Sequence, residues 1–276
     1  MERLAADRAR DHLARGMLSA ARNAGTAVWD IYQSGFEVFE KADASPVTIA
    51  DDTAEAIILA ALALLAPGVP VVAEEAAAAG HVPEVGDRFF LVDPLDGTKE
   101  FIQRSGDFTV NIALVEHGSP TLGVVYAPAK SLIYVGDTAS SRAWRAPQKP
   151  WDGADDGEFS AIRVRRVTTG LTAVASRSHA TPETDAYLTQ WEIAERVSVG
   201  SSLKFCLVAE GAADLYPRAG PTMEWDTAAG HAVLIAAGGR VLGVDGAPLV
   251  YGKPRFFNPG FVASGDFDTG ALGALG

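Results

Sequence analysis

The sequence predicts a layered α/β protein in which two halves enclose one cleft. In some segments apolar residues recur every three or four positions, which is typical of helices, and in others they form short alternating or continuous runs, which is typical of strands. Strands cluster in the first half of the chain, whereas strands and helices alternate in the second. A chain of 276 residues is long enough for one large domain or two smaller ones, and this order of elements favours helices layered on sheets.

Two helices and six strands are predicted in the first half. Thr48 resembles an N-cap with Asp51 at the N3 position, and the helix that it opens would stop at Pro67-Gly68. An earlier helix would end before Gly35, since six apolar residues precede it at helical spacing: Leu13, Met17, Ala20, Ala24, Val28 and Ile31. We expect strands at 36–41, 69–73, 89–92, 109–116, 121–126 and 131–135, and a surface loop at 76–86.

An Asp-rich segment at 151–158 is the best candidate for the boundary between the halves, which gives predicted domains at 1–150 and 151–276. Beyond it, Thr181 and Pro182 resemble an N-cap and first helical residue, and Gly238-Gly239 would close the last helix. We expect helices at 182–191, 202–210 and 227–237, and strands at 162–167, 172–176, 196–199, 213–216, 240–244 and 260–263.

Composition excludes several classes of protein. The formal net charge of −12, without a cluster of Lys or Arg, argues against binding to a nucleic acid polymer. The longest apolar run, at 56–66, is too short to cross a bilayer, and the first residues lack the apolar core of a signal peptide. A single cysteine, Cys206, fits a reducing compartment and is expected to be a buried, inert thiol. We therefore expect a cytoplasmic protein without an integral membrane segment.

The most informative motif is Asp93-Pro94-Leu95-Asp96-Gly97-Thr98, which follows the apolar run at 89–92. We expect the strand to end at Asp93-Pro94, where the chain turns and places Asp96 three residues on. Two carboxylates about 4 Å apart repel each other by ~4 kcal/mol at an effective dielectric of about 20, so a cation between them is favoured. Oxygen ligands suit Mg²⁺ or Mn²⁺, and free N–H groups at Gly97-Thr98 suit phosphate. The motif indicates a metal-dependent phosphoryl site, with an ordinary Asp-Gly turn as the alternative.

Two further acidic motifs are candidates for the same site. Glu74-Glu75 follows a predicted apolar strand, which would aim the pair as another strand aims Asp93, although adjacent Glu residues are also typical of a solvated loop. Asp226 lies in the motif 224–231 ahead of a predicted helix, where it would act as a helix cap. A capping carboxylate has a second oxygen that remains available to a metal ion.

Two motifs carry donors suited to an anion. In Gly200-Ser201-Ser202-Leu203-Lys204, small residues stand at a predicted helix start with a lysine in the first turn, which favours phosphate. The alternative is a Ser N-cap followed by a solvated lysine. Ser176-Arg177-Ser178-His179 also offers donors, although a single His is more often structural.

Other phosphate-handling and hydrolytic signatures are absent from the sequence, among them the Walker A motif, G-x-G-x-x-G, H-E-x-x-H and G-x-S-x-G. The nearest competitor is a phosphatase of the haloacid dehalogenase type, in which the second Asp follows the first by two residues. Leu95 occupies that position here. Since alternate residues of an extended segment share a face, this shift excludes the competitor.

Taken in order, Glu74-Glu75, Asp93–Thr98 and Trp225-Asp226-Thr227-Ala228-Ala229 resemble the pattern of the lithium-sensitive, magnesium-dependent phosphatases of the inositol monophosphatase superfamily. The chain is most similar to the bacterial 3′(2′),5′-bisphosphate nucleotidases of that superfamily, and the similarity extends from about residue 22 to residue 262. It implies an αβαβα sandwich with two or three Mg²⁺ ions in a central cleft. Most metal ligands would come from the first half, and the substrate residues with the last metal ligand from the second.

The resemblance also implies roles for individual residues. Asp51 and Thr98 would orient and deprotonate the attacking water. Glu74 would take part in catalysis and also bind a metal ion, and Glu75 would lie at least directly behind the metal ligands. The metal ligands would be Glu74, Asp93, the Leu95 carbonyl, Asp96 and Asp226. The implied substrate contacts are Leu95, Asp96, Gly97, Thr98, His179, Ser201, Ser202, Lys204 and Asp226.

The function implied by the resemblance is hydrolysis of the 3′-phosphate of adenosine 3′,5′-bisphosphate, giving AMP and phosphate in support of sulfate assimilation. An inositol monophosphatase or a broad sugar-phosphate phosphatase on the same metal core is the alternative enzyme. A catalytically idle protein that binds metal and phosphate is the alternative from another class. The sequence leaves open the oligomeric state and a peripheral association with the cytoplasmic face of the inner membrane.

Overall fold

Two sheets, one in each half of the chain, organise the computed structural model, which describes residues 2–41, 46–150, 158–167, 170–175 and 181–269. The helices are α1 Glu2–Ser34, α2 Ile49–Leu65, α3 Glu74–Ala78, α4 Thr98–Ile102, α5 Pro182–Leu188, α6 Leu203–Ala209 and α7 Glu224–Ala236. The strands are β1 Val38–Glu40, β2 Pro46–Thr48, β3 Val71–Ala73, β4 Arg88–Asp96, β5 Thr109–Glu116, β6 Ser119–Ala127, β7 Leu132–Asp137, β8 Arg142–Pro147, β9 Ser160–Ile162, β10 Leu171–Ala175, β11 Ile193–Ser198, β12 Leu215–Arg218, β13 Thr222–Met223, β14 Arg240–Gly243, β15 Phe257–Asn258 and β16 Phe261–Ser264.

In the first sheet, the strands run in the order β3-β4-β5-β6-β7-β8-β9. Only β3 and β4 are parallel, and the remaining neighbours form an antiparallel meander. The second sheet has the order β11-β10-β12-β16-β14. In it, β10 is parallel to both of its neighbours, and β16 is antiparallel to both of its neighbours. Small two-stranded ribbons join β1 to β2 and β13 to β15.

The layers follow from which side chains each strand buries. Along β4, Phe89 and Leu91 pack in the core with residues of α6 and α7, whereas Phe90 and Val92 pack with residues of α1 and α2. Because successive side chains of a strand point to opposite faces, the two helix pairs lie on opposite faces of the first sheet. α6 also contacts the second sheet, and Tyr187 of α5 packs in a further cluster with residues of that sheet. The result is the αβαβα sandwich.

Several sequence predictions of local structure are confirmed. The helix before Gly35 ends at Ser34, and α2 ends at Leu65, ahead of Pro67-Gly68. The capping box is present, since the Thr48 N–H donates to Asp51 Oδ2 at 2.8 Å and the Thr48 side chain accepts from the Ala50 N–H. Strand β5 has the predicted bounds. These features depend on groups only a few residues apart, which sequence patterns report well.

The prediction that the chain turns at Asp93-Pro94 is wrong. β4 continues to Asp96, with Asp93 opposite Asn111 and Asp96 opposite Thr109, and its register shifts between the two. Pro94 lies within this irregularity, which is where a strand tolerates proline, because proline lacks the N–H that a regular ladder needs. Both acids therefore project from the end of one buried strand.

Other boundaries also differ from the predictions. The first residues of the predicted loop at 76–86 belong to α3, the predicted strand at 162–167 is reduced to the end of β9, and β8 was not predicted. α7 begins at Glu224, so Asp226 lies in its first turn and is not the N-cap. Most of the proposed domain boundary, at 151–157, lies outside the described residues. Within the described part of the chain, no helix is long and apolar enough to span a membrane.

Candidate active site

The acidic residues come together at one edge of the first sheet. Because β3 and β4 are parallel and Ala73 pairs with Val92, the residues that follow them, Glu74 and Asp93, emerge side by side. Asp96 closes the same strand, and Asp226 arrives from the first turn of α7, where its Oδ2 accepts the Met223 N–H at 2.8 Å. Four acids from three elements are thus gathered at this edge, although Glu74 and Asp226 are 152 positions apart in the chain.

These carboxyl groups are close enough for their charges to shift one another's pKa. Burial first, and then the charges of Glu74, Asp96 and Asp226, raise the pKa of Asp93 well above its usual value. Burial followed by the Asp96 and Glu74 charges does the same to the pKa of Asp226. Burial also raises the pKa of Asp96, against the opposing effect of the Lys204 charge. Such a cluster is stabilised by added positive charge.

Lys41, which was not among the predicted site residues, supplies some of that charge. Its Nζ lies 2.8 Å from Glu74 Oε1 and 2.6 Å from Glu75 Oε1. Although burial lowers the pKa of Lys41, the contacts with the two glutamates raise it overall. Burial, opposed by the Lys41 hydrogen bond, leaves the pKa of Glu75 at about 7. Nothing in the sequence around Lys41 indicates which acids it meets, since the nearest is 33 positions away.

The donor set fits a hard divalent cation. It consists of oxygen atoms alone, from the carboxylates of Glu74, Asp93, Asp96 and Asp226 and the backbone at Leu95, and such ligands suit Mg²⁺. As the side chains stand, no three His, Cys, Asp or Glu residues in the described ranges converge closely enough to hold a metal ion. The fit therefore rests on the chemistry of the donors and on the uncompensated charge of the cluster.

An Asp–Thr pair, with Asp51 buried and Thr98 partly exposed, lies beside the acids. Thr98 Oγ1 is 3.2 Å from Asp51 Oδ1 and 3.2 Å from the Leu95 carbonyl oxygen, so its one proton is shared between two acceptors. Asp51 Oδ2 accepts the N–H and the hydroxyl of Thr48, both at 2.8 Å. Burial, partly offset by the hydrogen bonds from Thr48, raises the pKa of Asp51 to about 6. The capping box thus also fixes the orientation of a carboxylate in the site.

Gly97 links the acids to α4 through a left-handed backbone conformation with φ of 93°. A Cβ at this position would lie 3.0 Å from the Asp107 carbonyl oxygen, so only glycine suits both the conformation and the space. The glycine allows the chain to leave β4 and present the first N–H groups of α4, as the sequence predicted for Gly97-Thr98.

Three of the acids, Glu74, Asp96 and Asp226, share a cavity of about 290 Å³ with basic and aromatic residues. Its lining includes Glu74, Asp96, Thr98, Ser201, Lys204, Tyr216, Arg218, Thr222 and Asp226. Lys204 is only 5% exposed, so the alternative of a solvated lysine is wrong. Its Nζ donates to the Ser201 carbonyl at 2.6 Å and lies 5.4 Å from the centroid of the Tyr216 ring. Burial lowers the pKa of Lys204 to about 8, against the opposing Asp96 charge.

The two serines of the 200–204 motif differ in what they contact. Ser202 is the N-cap of α6 but makes no side-chain cap bond; its N–H donates to Asp96 Oδ2 and its hydroxyl to the Asp226 carbonyl, both at 2.6 Å. Ser201 has a left-handed backbone, with φ of 52°, and lines the cavity. His179 and its motif at 176–179 lie outside the described residues. Arg218, Tyr216 and Asn111 were missed as site residues, because their place depends on long-range packing.

Comparison with known proteins agrees with this geometry. The inositol monophosphatase family model matches residues 9–267. The CysQ 3′(2′),5′-bisphosphate nucleotidase of Escherichia coli K12 is 50% identical over 248 residues, covering 88% of this chain and 96% of that protein. The protein of the same name from Haemophilus influenzae is 33% identical over 259 residues, covering 93% and 94%.

Solved structures give the same result. CysQ from Bacteroides thetaiotaomicron, described as a bacterial member of the inositol monophosphatase family, superimposes with a TM-score of 0.78 at 40% identity, covering 92% of this chain and 97% of that one. An inositol monophosphatase from Zymomonas mobilis, at 23% identity, shares the fold with a TM-score of 0.75, covering 95% and 96%. The chain belongs to the inositol monophosphatase family. It is a phosphatase, and the enzymes of its family depend on metal ions.

Proposed function

We propose that this phosphatase hydrolyses the 3′-phosphate of adenosine 3′,5′-bisphosphate, giving AMP and phosphate. The observation that carries the proposal is a single cavity in which the acids Glu74, Asp96 and Asp226 meet Lys204 and Arg218. A substrate with one phosphate needs only the acid cluster and its cations, whereas a second phosphate gives the basic residues a ligand. The name of the 50% identical relative, a 3′(2′),5′-bisphosphate nucleotidase, supports the same substrate class.

Mg²⁺ is the cofactor that we propose, with two or three ions per site. Glu74, Asp93, Asp96, Asp226 and the Leu95 carbonyl would hold it, and when bound it would neutralise the carboxylates and the charge that develops on the reacting phosphate. The buried acids that raise one another's pKa are the feature of this chain that calls for such ions. The reaction would serve sulfate assimilation in the cytoplasm, the compartment that the single cysteine favours.

Asp51 and Thr98 would manage the proton of the attacking water. The Thr98 hydroxyl proton is directed at Asp51 Oδ1 and the Leu95 carbonyl oxygen, so the hydroxyl oxygen can accept a hydrogen bond from water. With a pKa of about 6, Asp51 is ionised at neutral pH and still basic enough to receive a proton. Thr48 holds the other oxygen of Asp51, which leaves Oδ1 directed at Thr98. Gly97 and Thr98 would present backbone donors to the phosphate.

A phosphate-release panel tests the proposal directly. Adenosine 3′,5′-bisphosphate, inositol 1-phosphate and fructose 1,6-bisphosphate are compared with Mg²⁺ and with a chelator. We expect Mg²⁺-dependent release with the highest kcat/KM for the nucleotide. Preference for inositol 1-phosphate or for the sugar bisphosphate would replace the proposed substrate by the alternative enzyme. Binding of metal and nucleotide without release from any substrate would identify an idle binding protein.

Lithium is expected to inhibit the reaction. A small monovalent ion in place of one Mg²⁺ supplies too little charge to the site that Asp93, Asp96 and Asp226 form, so the leaving oxygen is less well stabilised. The measurement is an inhibition curve at fixed Mg²⁺ with NaCl at equal ionic strength as the control. Turnover that is indifferent to millimolar lithium would contradict the proposed metal arrangement.

The preference for a bisphosphate should fall as the pH rises through about 8. Lys204 attracts a second phosphate only when protonated, and its lowered pKa of about 8 means that it loses its proton above that value. Below pH 8 the charged form of Lys204 predominates, so the preference for a bisphosphate is highest at those pH values. The measurement is the ratio of kcat/KM for adenosine 3′,5′-bisphosphate and inositol 1-phosphate across pH, in which effects common to both substrates cancel. A ratio that stays constant from pH 7 to pH 9 would show that Lys204 does not act as the titrating cation.

A further inference from the structure

Asn111, on β5, makes contacts that link the two halves of the site. Its Nδ2 donates to Asp96 Oδ2 at 3.2 Å and to Ser202 Oγ at 3.0 Å. The residue is 1% exposed, and its Oδ1 has no hydrogen-bond partner among the described residues. The side chain therefore acts through its nitrogen, between an acid of the first sheet and the start of α6.

The donor roles in this network are fixed by chemistry. Ser202 Oγ has one proton and gives it to the Asp226 carbonyl oxygen at 2.6 Å, a group that can only accept. The same oxygen must then accept from Asn111, so the amide presents its NH₂ group to it. This orientation also places a donor on Asp96 Oδ2, as a carboxylate requires. One unbroken chain of hydrogen bonds thus runs from Asp96 through Asn111 and Ser202 to the backbone of Asp226.

The network has a consequence for Asp96. Its Oδ2 already accepts two hydrogen bonds, from the Ser202 N–H and from Asn111 Nδ2. Oδ1 is then the oxygen with capacity left for a cation. The Ser202 hydroxyl also holds the first turn of α7, which carries Asp226. Asp226 belongs to the second half of the chain, whereas Asp96 belongs to the first.

We infer that Asn111 and Ser202 are positioning residues, which together set the spacing of Asp96 and Asp226 for the metal ions. The inference rests on the metal-binding part of the proposed function. Both donor groups of Ser202 are used inside the protein, which distinguishes it from Ser201 at the cavity wall. Groups that orient metal ligands typically contribute about 10- to 100-fold to metal affinity.

Binding of Mn²⁺ alone to the metal-stripped protein, measured by calorimetry, tests the inference. We expect Asn111→Leu, which keeps most of the volume without the donor, to weaken binding about 10- to 100-fold. Thr109→Val is the matched control, because Thr109 lies two residues away on β5, is 0% exposed, and its hydroxyl has no partner among the described residues. It should bind Mn²⁺ like the wild type. Ser202→Ala, which retains the N–H bond to Asp96, should weaken binding as well and decides the question if Asn111→Leu does not fold.

A double-mutant cycle separates positioning from mere packing. If the two residues act through one chain, Asn111→Leu combined with Ser202→Ala should lose much less affinity than the two single losses added together. The melting temperature without metal is measured in parallel. Variants that melt at a lower temperature but bind Mn²⁺ like the wild type would overturn this inference and leave the proposed function standing. A wild-type protein that binds no Mn²⁺ would overturn the metal part of the proposed function and this inference with it.

Discussion

Replacing Asp93 by Asn is expected to lower Mg²⁺-dependent turnover by several orders of magnitude while the fold stays intact. The amide keeps an oxygen that can accept the Leu95 N–H, as Asp93 Oδ1 does at 3.1 Å. It removes a charge at the centre of the acid cluster, so the cations would be left under-neutralised and misplaced. The measurement is kcat with saturating Mg²⁺ and nucleotide. A folded variant with near wild-type activity would refute the proposed mechanism.

Stability gives the same variant a second readout. In the folded protein, burial and three neighbouring carboxyl groups raise the pKa of Asp93. When no metal is bound, the ionised form that neutral pH favours in the unfolded chain is therefore disfavoured in the folded protein, which lowers the free energy of unfolding. The cost is absent below the pKa of the unfolded chain and grows as the pH rises above it. We therefore expect Asp93→Asn to melt at a higher temperature than the wild type in chelator at pH 7, with the difference shrinking towards pH 4. A lower melting temperature would show that Asp93 is needed for the fold.

Replacing Lys204 by Ala is expected to lower kcat/KM for adenosine 3′,5′-bisphosphate by roughly 10- to 150-fold. The ammonium group would make a charge-assisted hydrogen bond to the second phosphate, worth about 1.5–3 kcal/mol. Activity on inositol 1-phosphate should fall much less, since that substrate has no second phosphate. The measurement is the ratio of the two losses.

Two controls belong with this experiment. Lys204→Met fills the buried volume without the charge and should reproduce the selective loss, which separates charge from packing. Lys99→Ala removes an exposed lysine from the rim of the same cavity and should affect both substrates by a similar, small factor. Equal losses on both substrates in the Lys204 variants would assign the residue to the common site or to the fold, and the role in binding a second phosphate would be dropped.

The order of the acidic motifs and the local hydrogen bonds could be predicted from the sequence. Thr48 and Asp51 are three residues apart, so their capping box depends on backbone geometry that any helix start provides. The apolar spacing that ends at Gly35 reports the buried face of α1 in the same way. The prediction failed at Asp93-Pro94, because this dipeptide is typical of a turn and was expected to end the strand. Pairing with β5 instead extends the strand to Asp96.

The sequence by itself determined which residue types are present in which order, and hence the layered fold, the acid set and the family that they resemble. Tertiary structure alone decided that Lys41 meets the glutamate pair, that Lys204 is buried, and that Asn111 joins Asp96 to Ser202. These contacts join residues up to 91 positions apart. Their formation depends on strand pairing and on the packing of α6 and α7 between two sheets, because a local pattern fixes the face on which a side chain lies but not the distant partner that is brought against it.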